Sequence, residues 1–449
     1  MLTLIKKPDI EEYLSAYPLL QTFDKQFILF ENENFYYLPN KFHINFPHKK
    51  LITFDDGKVN VQVVDIQFTQ ELRDYQHAPM KQLRDIYDRD GVLNGVFEAK
   101  TGFGKTVMAS YIASFIKQKT LIILDNSKLL EQWIDEIVSF TNLTKDDIGI
   151  IKANKFEVDK PISIAMVQTL MSKVKRDIRT YYAKFREAGY GLVIFDEVHK
   201  TSSGPKYATS TLLLPCPNIM GLTATPFGVG LHKVLMENSI GNIICTYKEY
   251  EVKPKVVFVR YDADFINLTP SYNKMRHYLR DYIKCIAFYN KHIVNCPNYY
   301  KTILHITTKA LQVKHRIVIL ASNTAQVESI YKYLVDAGIE NIKMLYSKHT
   351  EIDKVNDQVI IGTYKYCSHG FDFKELSALI LASPFKGKTS LVQMIGRILR
   401  ICPGKNAPIV FDLIDQSMPT IFENSVQGKI FKLSEEFKLT SDNFKYTQL

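Results

Sequence analysis

The chain has 449 residues, the length of about three ordinary domains, and its 46% hydrophobic and 23% charged residues exclude a disordered protein. Lysine plus arginine outnumber aspartate plus glutamate by 57 to 47, a net charge of +10 that favours an acidic partner such as nucleic acid. The six cysteines contain no CxxC pair, which excludes the usual zinc and iron–sulfur spacings and predicts thiols in a reducing cytoplasm; no membrane span or signal peptide is expected either.

Residues 1–68 are rich in aromatics and alternating apolar positions, as in Phe35-Tyr36-Tyr37-Leu38 and Lys58-Val59-Asn60-Val61-Gln62-Val63-Val64. With turns at Asn32-Glu33-Asn34 and Asp55-Asp56-Gly57, this pattern predicts a small, separate α+β module. On charge alone, its Lys41, His43, His48, Lys49 and Lys50 suit an accessory DNA-binding role.

From residue 69 the pattern becomes apolar runs separated by amphipathic stretches, such as Leu121–Leu124, Ile162–Val167, Leu192–Phe195 and Ile219–Leu222. A second series follows at Val256–Val259, Ile317–Leu320, Gln358–Thr363, Ala378–Ala382 and Ile409–Ile414. Runs buried on both faces and alternating with helices mark parallel sheets. The expected fold is α/β, with two tandem parallel-sheet domains over 69–250 and 251–449, the second ending in a helical tail from about Ser417.

The first domain opens with strand, tight loop and helix: Gly91–Phe97, then Glu98-Ala99-Lys100-Thr101-Gly102-Phe103-Gly104-Lys105-Thr106, then Val107–Phe115. This is the context a phosphate-binding loop requires, although Ala99 stands where the strict pattern has glycine. Gly102 and Gly104 let the backbone of Thr101–Thr106 turn its N–H groups toward phosphate oxygens at a helix N-terminus. Lys105 would reach the β/γ-phosphates and Thr106 the Mg²⁺ of bound ATP. Further on, Asp196 and Glu197 end the hydrophobic run Leu192–Phe195, where α/β sheets place ligands. Asp196 suits the Mg²⁺ shell, and Glu197 suits a base that polarises the attacking water.

Asp196-Glu197-Val198-His199 with the phosphate loop resembles the DExH signature of superfamily 2 helicases, and further motifs stand in that family's order. The two α/β domains are therefore expected to be RecA-like. Leu72-Arg73-Asp74-Tyr75-Gln76 resembles the adenine-side motif, which implies nucleotide contacts for Arg73 and Gln76. Asn126 and Ser127, then Gln168 and Thr169, are similar to segments that hold the nucleic-acid backbone. His199 and the pair Thr223 and Thr225, in Leu222-Thr223-Ala224-Thr225-Pro226, match residues that couple nucleotide state to strand path. In the second domain, Ser322, Asn323 and Thr363 match further strand-contacting motifs, while Gly370 and Asp372 match a nucleotide-side segment. Gln393-Met394-Ile395-Gly396-Arg397-Ile398-Leu399-Arg400 resembles the arginine motif. There Gln393 is a coupling residue, and Arg397 and Arg400, on one helix face, stabilise the transferring γ-phosphate.

The resemblance covers about residues 70–415 and is nearest to Rad25/XPB-like and phage UvsW-type branch-migration helicases. It implies an ATP- and Mg²⁺-dependent DNA helicase or translocase. Such an enzyme would act on branched, forked or duplex DNA, as a monomer, in a host cytoplasm and without a membrane. An RNA helicase is the alternative within the class. A nucleic-acid binding or annealing protein with a regulatory nucleotide site is the alternative outside it. The basic stretches Lys173–Arg179 and Tyr272–Arg280 read better as solvated faces of amphipathic helices than as phosphate grips.

Overall fold

The computed structural model describes residues 2–54, 59–100, 102–203, 214–224, 230–269, 282–346, 353, 355–367, 373–384 and 388–449. The chain falls into two compact units, Met1–Tyr247 and Lys248–Leu449.

The first unit begins with β1 (Leu2–Lys6), β2 (Phe30–Glu31), β3 (Phe35–Leu38) and β4 (Leu51–Phe54), an antiparallel sheet in the order β2-β3-β1-β4. The β2–β3 turn forms because Asn32 Oδ1 accepts the N–H groups of Asn34 (3.1 Å) and Phe35 (2.8 Å), a local bond that asparagine favours. The expected strand near Val59–Val64 is absent, its one trace an isolated bridge from Val63 to Gln118. This stretch instead runs across the next domain, where Gln62 N–H meets the Gly189 carbonyl (3.0 Å) and Val64 N–H that of Lys117 (3.1 Å). The Asp55-Asp56-Gly57 turn lies outside the described residues.

Eight strands follow: β5 (Asn94–Ala99), β6 (Thr120–Leu124), β7 (Ile148–Lys152), β8 (Lys155–Phe156), β9 (Ile162–Met166), β10 (Leu192–Asp196), β11 (Asn218–Thr223) and β12 (Ile243–Tyr247). Their order is β12-β5-β11-β10-β6-β9-β7-β8, parallel except for the β7–β8 edge pair. Every residue of β6, β9 and β11 is buried, as their unbroken apolar runs require.

The N-terminal sheet is not independent of this one. Leu4, Ile5, Tyr13, Phe27, Leu38 and Phe42 join a single core with Val193, Phe195, Leu235 and Ile240 of the α/β domain. Polar bonds close the seam at the C-terminal end of the helix Leu231–Ser239. Lys41 N–H donates to the Asn238 carbonyl (2.9 Å), Lys41 Nζ to the Ile240 carbonyl (2.7 Å), and Asn45 Nδ2 to Asn238 Oδ1 (2.9 Å). An ammonium there also complements the negative end of the helix dipole.

The second unit holds β13 (Lys255–Tyr261), β14 (Ile317–Ala321), β15 (Ile342–Leu345), β16 (Val359–Thr363), β17 (Ala378–Leu381), β18 (Ile409–Asp415) and β19 (Phe444–Gln448). All seven are parallel, in the order β15-β16-β14-β17-β18-β13-β19. The expected helical tail is only half of the final segment: a helix spans Pro419–Phe437, and the chain then returns as edge strand β19. Left-handed Lys438 (φ 50°) ends the helix, and the Tyr446 ring stacks on Phe258 at 5.2 Å with the Arg260 guanidinium over it at 5.0 Å. Inside that helix Lys429 is paired with Asp412 at 2.6 Å, both nearly inaccessible. Among the described residues no helix is long and apolar enough to cross a membrane.

Replacing Lys41 with methionine keeps the aliphatic stem and deletes the bond to the Ile240 carbonyl. The expected cost is about 1–2 kcal/mol, read as a lower denaturant midpoint at unchanged slope.

Candidate nucleotide site and nucleic-acid face

The phosphate-loop segment leaves β5 and enters the helix Lys105–Ile116. Gly102 (φ 84°) and Gly104 (φ 93°) both take left-handed conformations, which glycine adopts without a Cβ penalty. At Gly104 a Cβ would also lie 2.9 Å from Gln76 Nε2, so the position is closed to side chains. Gln76 is buried at 2% exposure and ties the adenine-side motif to this loop: its Nε2 donates to the Phe103 carbonyl (2.7 Å), and its Oε1 accepts Arg73 N–H (3.0 Å). Arg73 in turn donates from its guanidinium to Tyr75 Oη (2.9 Å). The Phe103 ring is inaccessible among Phe97, Tyr75 and Tyr247, so its contribution to the loop is backbone. Thr106 is buried at the helix start; Thr101 lies outside the described residues.

β11 lies between β5 and β10, so three neighbouring strands deliver Lys105, Thr223 and Asp196 to one edge of the sheet. Lys105 Nζ pairs closely with Glu197 Oε1 and stands 3.5 Å from Asp196 Oδ1. Glu197 adopts a left-handed backbone (φ 49°), uncommon outside glycine, which sends its carboxylate away from the strand direction of Asp196. Its N–H donates to Asp196 Oδ1 at 3.0 Å. His199 Nδ1 sits 3.0 Å from Thr223 Oγ1 and 3.3 Å from Glu197 Oε2, so the predicted coupling residues meet. Thr225 lies outside the described residues.

Burial sets the protonation of this cluster. It raises the Asp196 pKa, only partly countered by Lys105. It also works against the Glu197 carboxylate, but Lys105, His199 and Lys200 outweigh it and hold Glu197 below the usual range. Burial tends to lower the Lys105 pKa, yet Glu197 and Asp196 carry it above its ordinary value. His199 is pushed down to about 4 by burial, with Lys105 and Lys200 opposing its protonation, so at neutral pH it is an uncharged imidazole. A glycine-turned helix N-terminus, an ammonium, a hydroxyl and a carboxylate form a donor set that fits a polyphosphate carrying a hard, oxygen-liganded cation. Among the described residues no three His, Cys, Asp or Glu side chains cluster as metal ligands.

A second polar group lies where β6 and β9 end side by side. Asn126 Oδ1 accepts Lys128 N–H (3.1 Å) at the start of a short 3-10 turn that contains exposed Ser127. Gln168 Nε2 donates to the Asp125 carbonyl (2.6 Å), while Thr169 Oγ1 accepts Ala153 N–H (3.1 Å). The structure thus brings Asn126, Ser127 and Gln168 together. It also supplies a residue that sequence reasoning passed over: Lys200, whose Nζ pairs with Asp125 Oδ2 at 2.5 Å. Its only signal in the sequence is adjacency to His199. The basic run Lys173–Arg179 is split, since Asp177 accepts N–H bonds from Arg179 and Thr180 and caps a new helix, Ile178–Ala188. Tyr272–Arg280 lies outside the described residues.

In the second unit, Asn323 Oδ1 accepts Gln326 N–H (3.0 Å) and caps the helix Thr324–Asp336, while Ser322 N–H donates to Gln326 Oε1 (2.9 Å). Thr363 ends β16, and its Oγ1 accepts Tyr366 N–H at 3.3 Å. Gln393 and Arg397 lie on the helix Lys388–Ile398. The expectation that Arg400 shares that helix is corrected: the helix stops at Ile398, and Arg400 follows in a turn in which its N–H reaches the Arg397 carbonyl at 3.4 Å. Pro403 and Gly404, just beyond, do not sustain a helix. Gly370 and Asp372 lie outside the described residues.

A glycine-turned loop entering a helix and paired carboxylates at the C-terminal ends of parallel strands are the arrangement expected of an α/β nucleoside-triphosphatase. Residues 69–228 match the family model described as "Type III restriction enzyme, res subunit". Over 71% of this chain and 67% of the other, the sequence is 26% identical to "Probable helicase D10" of Escherichia phage T5. Over 88% of this chain and 74% of the other, it is 27% identical to "Putative ATP-dependent RNA helicase L396" of Acanthamoeba polyphaga mimivirus. The fold aligns with an "ATP-dependent Type ISP restriction-modification enzyme LlaBIII bound to DNA" at a TM-score of 0.59 and 13% identity, over 85% of this chain and 32% of that larger one. By these likenesses the chain is similar to ATP-dependent helicases of superfamily 2, and its parallel-sheet units share the fold of the Pyrococcus furiosus Hef helicase domain (TM-score 0.51, 16% identity, over 82% of this chain and 100% of that one).

A histidine whose folded pKa is about 4 against 6.5 when unfolded binds fewer protons in the native state across that interval, so it costs stability as pH falls from 6.5 to 4. His199→Gln removes that cost. Between pH 6.5 and pH 4, urea denaturation should show the stability difference moving in favour of the variant by about 2–3 kcal/mol.

Proposed function

We propose that the chain is an ATP-driven motor on DNA, working on branched, forked or duplex substrates. The observation that carries this reading is the meeting of Lys105, Asp196, Glu197, His199 and Thr223 at adjacent strand ends, beside the surface formed by Asn126, Ser127 and Gln168. Thr106 and Asp196 would hold Mg²⁺, which when bound supplies charge neutralisation at the phosphates. Lys105 would leave its carboxylates for the β/γ-phosphates. Glu197, kept ionised, would accept the proton of the attacking water. His199 and Thr223, bonded to one another, would transmit that change along the sheet edge. Gln76 and Arg73 shape the nucleobase side of the loop. Arg397 and Arg400 keep the role the motif implies, compensating charge on the transferring phosphoryl group. Asn323 and Thr363 serve local caps, and with Ser322 they also stand at strand ends where a backbone phosphate can be held.

The basic net charge suits either nucleic acid. The name of a partial relative, "Putative DNA 3'-5' helicase Rad25" of Haloarcula marismortui, 34% identical over 36% of this chain, supports DNA, and the name of the mimivirus relative favours RNA as the second reading. Phosphate release should be compared with single-stranded DNA, RNA, forked DNA and four-way DNA present; stimulation by RNA alone would reject the first reading. Lys105→Ala should cut hydrolysis at least about a hundredfold while sparing nucleic-acid binding, because it removes charge stabilisation at the phosphates. Glu197→Gln should retain nucleotide binding and lower kcat by about 10²–10⁴ through loss of the base. Unimpaired turnover in either variant would withdraw its assigned role.

A further inference from the structure

Lys200 joins the two polar groups of the first unit. Its N–H donates to the Glu197 carbonyl (2.9 Å), which fixes its backbone to the putting-in-place of the carboxylate turn, and its ammonium crosses to Asp125 at 2.5 Å. Both side chains are largely withdrawn from water, at 19% and 16% exposure, so the pair is screened far less than a surface ion pair. Asp125 directly follows β6, precedes Asn126 and Ser127, and its carbonyl receives Gln168 from the end of β9. One continuous path of bonds therefore runs from Glu197 through Lys200 and Asp125 to Gln168. A displacement of the carboxylate turn would be felt along this path at Asn126, Ser127 and Gln168, and for binding free energies such coupling is reciprocal.

We propose that Lys200 is a positioning residue that couples nucleic-acid occupancy at Asn126, Ser127 and Gln168 to hydrolysis at Glu197, acting through its ion pair with Asp125. This rests on the motor reading above. The ammonium of Lys200 is turned onto Asp125, and its share in keeping Glu197 ionised is smaller than that of Lys105, which remains, so removing its charge acts chiefly on the link between the two sites.

The test measures ATP hydrolysis by the full chain with and without saturating polynucleotide, together with nucleic-acid affinity without nucleotide. In Lys200→Met the basal rate should stay within about twofold of the original, the affinity should be preserved, and the stimulation should fall about tenfold, a typical size for coupling between sites. Lys200→Arg should restore stimulation. Asp125→Asn should reproduce the loss with a near-isosteric side chain, and the Lys200→Met/Asp125→Asn double variant should be no worse than either single one. Basal and stimulated rates falling together, affinity falling in step with stimulation, or additive losses in the double variant would each overturn the proposal. A parent protein that no DNA or RNA stimulates would instead overturn the motor reading, and the coupling with it; measuring the parent first separates the two failures.

Discussion

Burying three charges together at the edge of a sheet is the constraint around which the first unit is organised. Lys105, Asp196 and Glu197 are each mostly shielded from water, and such a group persists only if its members compensate one another. That compensation depends on backbone: a left-handed Glu197 to aim one carboxylate, two left-handed glycines to bring the lysine round, and a buried glutamine to hold the loop shut from behind. The apolar strands beneath serve to hold these turns in register.

The same arrangement explains why an uncharged histidine stands next to a carboxylate. A protonated His199 would strengthen its contact with Glu197 but compete with Lys105 for it, in a place where burial already disfavours added charge. Kept neutral, the ring bonds Thr223 through Nδ1 and lies against Glu197 without adding a charge. Charge is concentrated on Lys105, Asp196 and Glu197, while His199 beside them is neutral and Lys200 is paired with Asp125.

The sheets, the glycine-turned loop and the acidic turn were legible in the sequence for a physical reason. Central parallel strands are buried on both faces and read as unbroken apolar runs, and a phosphate loop demands glycine at set positions. Edge strands carry no such signature. β8, β12 and β15 pass without notice, and β19, with lysine, threonine and glutamine between its aromatics, reads as tail until Phe258 and Arg260 are seen to receive it. Arg400 looks helical by spacing, but the residues after it end the helix. Lys200 was invisible because an ion pair to a residue 75 positions away leaves no local pattern.

The core shared between the N-terminal sheet and the α/β domain bears on more than stability. The helix Leu231–Ser239, the next described helix after Thr223, is clamped at its far end by Lys41 and Asn45. A rod pinned at one end gives way most easily at the other, so the Leu231 end of this helix is the freer one and its Ser239 end is fixed by Lys41 and Asn45. The small sheet is in this sense the bearing of the first domain, a hold on the α/β core supplied by residues far outside it in sequence.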